Sequence, residues 1–143
     1  MITEDYVSYD IAKLLRDKGF DEQTVRCYNL RKELCICQCR GNETINSTPN
    51  YLIAAPTFQM ALKWLREVHK IFINVSNEVS LTDDITYQFF VCTKEKSILH
   101  RGEDIKTFED ACNEAMKFAL ENLIVRARSP LPSGGGSSLK TNL

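Results

Sequence analysis

Apolar residues recur at helical spacing most clearly over residues 56–70, PTFQMALKWLREVHK. Phe58, Ala61, Leu62, Leu65 and Val68 share one face of a 3.6-residue period, while Lys63, Arg66, Glu67 and Lys70 fall on the other. The pattern predicts an amphipathic helix with Pro56 at its first position, where the missing N–H needs no partner. Met60 and Trp64, four apart, sit on its flank. A shorter helix is predicted over residues 9–18, with Ile11, Leu14 and Leu15 as its stripe. Ser8 is suited to cap its start and Gly19 to end it. A third, long helix opens at Thr107, with Asp110 three residues on completing a capping-box-like start. Its predicted buried stripe is Phe108, Ala111, Cys112, Ala115, Ala119 and Leu123.

Between these helices the period changes to two. Residues 33–39 alternate, with Cys35, Cys37 and Cys39 on one side and Leu34, Ile36 and Gln38 on the other. A turn at residues 29–32 would make residues 25–39 a hairpin. Residues 71–76 and 85–93 read as two strands joined by a polar turn, hence a second antiparallel hairpin, and residues 97–101 add a short third strand. Residues 40–50, rich in Gly, Asn, Thr and Pro, read as a surface loop. This order of elements predicts an α+β fold: an antiparallel sheet of about three to five strands with three helices packed mainly on one face. Residues 1–125 are expected to form one domain, and the Pro/Gly/Ser-rich stretch 126–143 a flexible tail.

Composition adds bounds. The chain has 143 residues, of which 43% are apolar and 26% charged, enough to build a core. With 18 basic and 19 acidic side chains it carries no electrostatic footprint for nucleic acid or an anionic membrane. No apolar run approaches the roughly 20 residues of a membrane-spanning helix. MITEDYVSYD is acidic and has no apolar signal region. The expectation is a cytoplasmic protein whose six cysteines are thiols.

Candidate chemistry is sparse. Cys35, Cys37 and Cys39 are the one candidate metal set, but sulfurs two residues apart on a strand lie about 7 Å from each other, too far to share one zinc without distortion. Their alternative role is that of small hydrophobes on a strand face. His69, near the end of the middle helix, suits a protonated ring at a helix C-terminus; it and His100 are the only histidines. Carboxylate pairs at Asp83-Asp84, Glu103-Asp104 and Glu109-Asp110 fit loops or first helical turns. No nucleotide, hydrolase or metalloprotease motif occurs, so no catalytic residue, cofactor or metal is assigned. Residues 56–124 share the element order of double-stranded-RNA-binding domains. Those domains grip phosphates with basic residues at the start of the last helix. Here residues 103–122 hold six acids and two lysines, which opposes RNA binding. The outer side of the middle helix is the better binding candidate: Gln59, Lys63, Trp64 and Arg66 include the residue types that dominate interface energetics.

Three stretches, YVSYDIAKLLRDKGFDE, YLIAAPTFQMALKWLREVHKIFI and TFEDACNEAMKFALENLI, together resemble a group of small uncharacterised proteins of phages, prophages and mobile elements of gut Bacteroidetes. Its middle motif falls on Ala55, Pro56, Gln59, Trp64, Arg66, Glu67 and His69, and the likeness spans residues 6–124. The resemblance implies a bacterial cytoplasmic location and an accessory protein acting on a host component, with no implied activity. The expected function is therefore a non-enzymatic interaction protein with a protein partner or self-association. A small-ligand or nucleotide-sequestering protein, with a pocket between sheet and helices, is the alternative; a double-stranded-RNA-binding-like module and a thiol or metal site protein follow.

Overall fold

The computed structural model describes residues 1–39, 41–48 and 51–124. The expected tail, residues 126–143, lies outside them. The elements run α1 (Tyr9–Asp17), β1 (Arg26–Tyr28), β2 (Leu34–Ile36), β3 (Ile53–Ala54), α2 (Phe58–His69), β4 (Ile71–Val79), β5 (Ile85–Thr93), β6 (His100–Ile105) and α3 (Phe108–Asn122). The fold is α+β. Its strands form two antiparallel three-stranded sheets, ordered β2-β1-β3 and β4-β5-β6.

Local chemistry explains the boundaries. Ser8 caps α1 by accepting from the Ile11 N–H at 3.3 Å. Gly19, at φ 97°, ends it, with Gly19 N–H donating to Arg16 O and Phe20 N–H to Leu15 O. This paired closure places Phe20 beside the helix end and buries it. The start of α2 differs from expectation: Thr57 is the cap, accepting from the Met60 N–H at 3.1 Å, and Pro56 precedes it. A hydroxyl that satisfies an orphan N–H outweighs proline's tolerance for the next position. Lys70, left-handed at φ 56°, ends α2 and turns the chain straight into β4. Thr107 caps α3 by accepting from the Asp110 N–H.

β4, β5 and β6 form a meander. β4 and β5 pair in continuous register from Ile71↔Thr93 to Val79↔Ile85. β6 pairs with β5 through Phe89↔Gly102 and Val91↔His100, with a register shift between Tyr87 and Phe89. The third strand lies further along the chain than residues 97–101, so Glu103 and Asp104 stand in a strand and not a loop. α3 packs across all three strands and α2 against β4. Ala111, Ala115 and Ala119 let α3 approach closely, and Met116 and Leu120 complete its buried face. Phe108 and Leu123, expected there, are exposed and half-buried. The smaller sheet carries the expected hairpin of residues 25–39. The loop after it is tied down at its middle: Thr44 and Ile45 are buried, the Thr44 hydroxyl meets Asp21, and Asn46 bridges Phe20 O and the Ala54 N–H. One core cluster runs through α1, β1, β3, α2, β4, β5 and α3.

Candidate functional site

The predicted contact residues on α2 divide between two depressions that share Lys63, one with Gln59 and Arg66 and one with Trp64. Gln59, Lys63 and Arg66 are exposed and line a shallow surface groove of about 790 Å3. Lys63 lies 3.8 Å from Glu67 on the next turn, an exposed ion pair of small energetic value. Trp64 is a correction. It is only 6% exposed and packs edge-on against Phe20 at 5.4 Å and His69 at 4.6 Å. Val68, predicted for the core, is 57% exposed instead. The helix is turned so that Phe58, Ala61, Trp64 and Leu65 face inward, because the indole fills the space beside Phe20 at the end of α1.

His69 changes role with it. Its ring rests on Trp64, and its Nε2 is buried with no hydrogen-bond partner among the described residues. Burial lowers its pKa below the ordinary imidazole value, so the neutral ring is favoured over the imidazolium expected at a helix end. The unfolded chain then binds the proton more readily than the folded one. Stability from this group is complete above the ordinary imidazole pKa of about 6.5 and is lost as pH falls through it. The urea midpoint is expected to drop between about pH 7 and about pH 5. His69→Gln should show a flatter profile over that window; an unchanged slope would mean that other groups supply it. The other histidine, His100, stacks flat on Phe118 at 4.0 Å.

The feature not visible in the sequence pattern is the far side of the larger sheet. α3 covers the face bearing Ile71, Phe89 and Val91, and α2 packs against β4. The opposite face carries Phe72, Asn74 and Ser76 of β4 and their partners Cys92, Phe90 and Gln88 of β5. Phe72 is 42% exposed, and the Arg101 guanidinium lies over the Phe90 ring at 5.9 Å. Beside this face runs the outer edge of β4, which pairs only with β5 among the described residues. The outward-pointing N–H and C=O groups, on alternate residues of this nine-residue strand, therefore have no strand on that side.

The cysteines converge in part. Cys27 on β1 lies directly opposite Cys35 on β2, with 3.7 Å between the sulfurs. Cys37 also contacts Cys27, and burial followed by these two thiols pushes the Cys27 pKa up. Among the described residues no group of three or more Cys, His, Asp or Glu is arranged to hold a metal ion. The remaining cysteine in the core, Cys112, has its thiol pKa pushed up to about 12 by burial first and then by Glu109 and Asp5.

Two further expectations meet the geometry. Between α2 and α3 the three strands follow the order expected of an RNA-binding-like module, but the first turn of α3 presents Glu109 and Asp110 where phosphates would have to sit. The space between sheet and helices, where a ligand pocket was expected, is filled by Phe89, Val91, Ala115, Met116 and Ala119, each at most 2% exposed. No helix among the described residues is long and apolar enough to cross a membrane. Comparison with family models, with curated proteins and with solved structures finds no match.

Proposed function

We propose that this chain is a non-enzymatic interaction protein whose contact element is the free edge of β4, and that a second copy of the chain pairs there. The observation that carries the reading is the contrast between the two edges of one sheet. β6 is protected as natural edges are: it holds His100, Arg101, Glu103 and Asp104, its pairing is broken by a register shift, and Asp104 stands at φ 59°. β4 has no such device. Its sequence, IFINVSNEV, contains no proline, no lysine and a single charge, and its ladder to β5 is regular. An edge of that kind pairs with another strand.

The strand is also complementary to itself. Full antiparallel overlap of two copies centres on Val75, which sets Ile71 opposite Val79 and Asn74 opposite Ser76. Val79, 58% exposed, would then be covered. The joined sheets would present Phe72 and Phe90 twice on one uncovered face, a surface rich in residue types that anchor partners. The role of a phage or mobile-element accessory protein in the bacterial cytoplasm belongs to the same proposal and rests on the resemblance of the KGFDE, AP-x-x-Q and EA-x-x-A segments.

Sedimentation velocity tests the contact. The wild type is expected to dimerise by about 100 μM, the range of a contact worth about 5.5 kcal/mol. Asn74→Lys with Ser76→Lys, both on the outward face, gathers four lysines about the two-fold axis. This variant should stay monomeric with an unchanged circular dichroism spectrum. A monomeric wild type, or a dimer indifferent to the lysines, overturns the assignment.

A further inference from the structure

The hairpin of β1 and β2 carries a pair of thiols that the spacing of cysteines along the strand does not suggest. Cys27 and Cys35 are direct cross-strand partners. Opposed residues in an antiparallel ladder have Cα atoms about 4.5 to 5.5 Å apart, within the span of a disulfide. The two sulfurs already touch at 3.7 Å, and the Cys35 thiol donates to Cys27 O at 3.4 Å. Both cysteines are free. They differ in access, since Cys27 is buried and Cys35 half-buried.

We propose that Cys27 and Cys35 form a peroxide-responsive thiol pair that closes reversibly to a cross-strand disulfide. The oxidant is hydrogen peroxide. The Cys35 sulfur, the more accessible of the two, displaces water from peroxide and becomes a sulfenic acid. The Cys27 sulfur then attacks the Cys35 sulfur, the S–O bond breaks, and the departing hydroxide takes the Cys27 proton as a second water. The net change is two thiols and one peroxide to one disulfide and two waters. A dithiol reductant reverses it by exchange. Burial and the neighbouring thiols keep Cys27 protonated, which disfavours it as the first thiol to meet peroxide. Its contact with the Cys35 sulfur is what places it for the second step, in which its proton leaves with the hydroxide. Its neighbour Cys37 donates to Thr24 O at 3.6 Å and lines a depression with Gln23 and Cys39, the open side of the cluster. Closure would pin β2, a three-residue edge strand, to β1. In a reducing compartment such a pair would be open until oxidant arrives.

The sequence makes the test direct, because trypsin separates Cys27, in residues 27–31, from Cys35, in residues 33–40. The full-length reduced protein is treated with hydrogen peroxide, unfolded, alkylated and digested without reduction. The expected product is the two peptides joined, about 2 Da lighter than their sum, with fragmentation placing the link on Cys35 and dithiothreitol restoring both thiols. Cys37→Ser should keep the link and Cys35→Ser should lose it. The wild-type fragmentation pattern decides the matter even if a variant fails to fold. The proposal is overturned if Cys27 is still alkylated after peroxide has been consumed. It is equally overturned if the link joins Cys27 to Cys37, Cys39, Cys92 or Cys112, or joins two chains.

Discussion

Trp64→Ala is expected to destabilise the protein by about 3–5 kcal/mol, the range for removing a buried aromatic side chain. Total stability of an ordinary domain is about 5–15 kcal/mol, so the loss is a large fraction of what holds the fold together. The indole bridges α1 and α2, with Phe20 against one part of it and His69 against another. Neither neighbour can collapse into the space, since Phe20 is held by the backbone closure at the end of α1 and His69 by the end of α2. The melting temperature should fall by roughly 10–15 °C for a chain of this length. Urea unfolding followed by circular dichroism should show a lower midpoint with an unchanged slope. Trp64→Phe, which keeps an aromatic plate in the site, should cost markedly less. Were Trp64 instead a surface contact, truncation would shift stability by no more than about 0.5 kcal/mol, and that result would return the residue to the interface. As the only tryptophan, it also reports its own burial through a blue-shifted native emission that moves red on unfolding.

Why the pattern of the chain misplaced this residue is a matter of degeneracy. Within α2, apolar side chains stand at Phe58, Met60, Ala61, Leu62, Trp64, Leu65 and Val68, more than half of the helix. Two overlapping stripes fit such a set, one through Leu62 and Val68 and one through Trp64. The choice between them is made by Phe20, far away in sequence, so no local period could make it. Elements whose ends are set by their own side chains were legible. Ser8, Gly19 and Thr107 sit where their cap chemistry requires, and β5 spans the nine residues its alternation marks. β6 was less so, because a strand of charged residues at an edge has weak alternation and takes its register from a bulge. The division into two sheets depends on β3, two residues long and buried on both faces, which has no period to read. The thiol pair was not legible. A turn at residues 29–32 would set Cys27 opposite Leu34. The loop is instead the three residues 30–32, closed by Asn29 N–H donating to Glu33 O, and that shift of one residue brings Cys35 opposite Cys27.

Gly102→Ala is expected to lower stability by about 1–3 kcal/mol, the usual cost of overfilling a packed site. At an ordinary strand position the same change would help, because glycine is a poor strand former and costs more backbone entropy on folding, each by up to about 1 kcal/mol. The sign turns on what lies across the ladder. Gly102 is the partner of Phe89, whose ring lies over the glycine. A Cβ there would come 2.7 Å from Phe89 Cζ and nearer still to Cε2, against the roughly 3.5–4.0 Å of a favourable carbon contact. The ring has little room to yield. It is 2% exposed, the His100 ring lies 5.6 Å from it, and His100 is itself stacked on Phe118 of α3. Interiors packed to crystal density transmit such a push to the next neighbour. The push here would move α3 away from the sheet or twist Phe89 off its rotamer. Gly102→Val, with two further methyl groups, should cost more still. A double-mutant cycle separates the clash from any intrinsic effect of the new residue. Phe89→Ala alone should cost about 3–5 kcal/mol, and in that background Gly102→Ala should become neutral or stabilising. An equal cost of Gly102→Ala with and without the Phe89 ring would show that the glycine is required by the backbone of β6 and not by the ring above it.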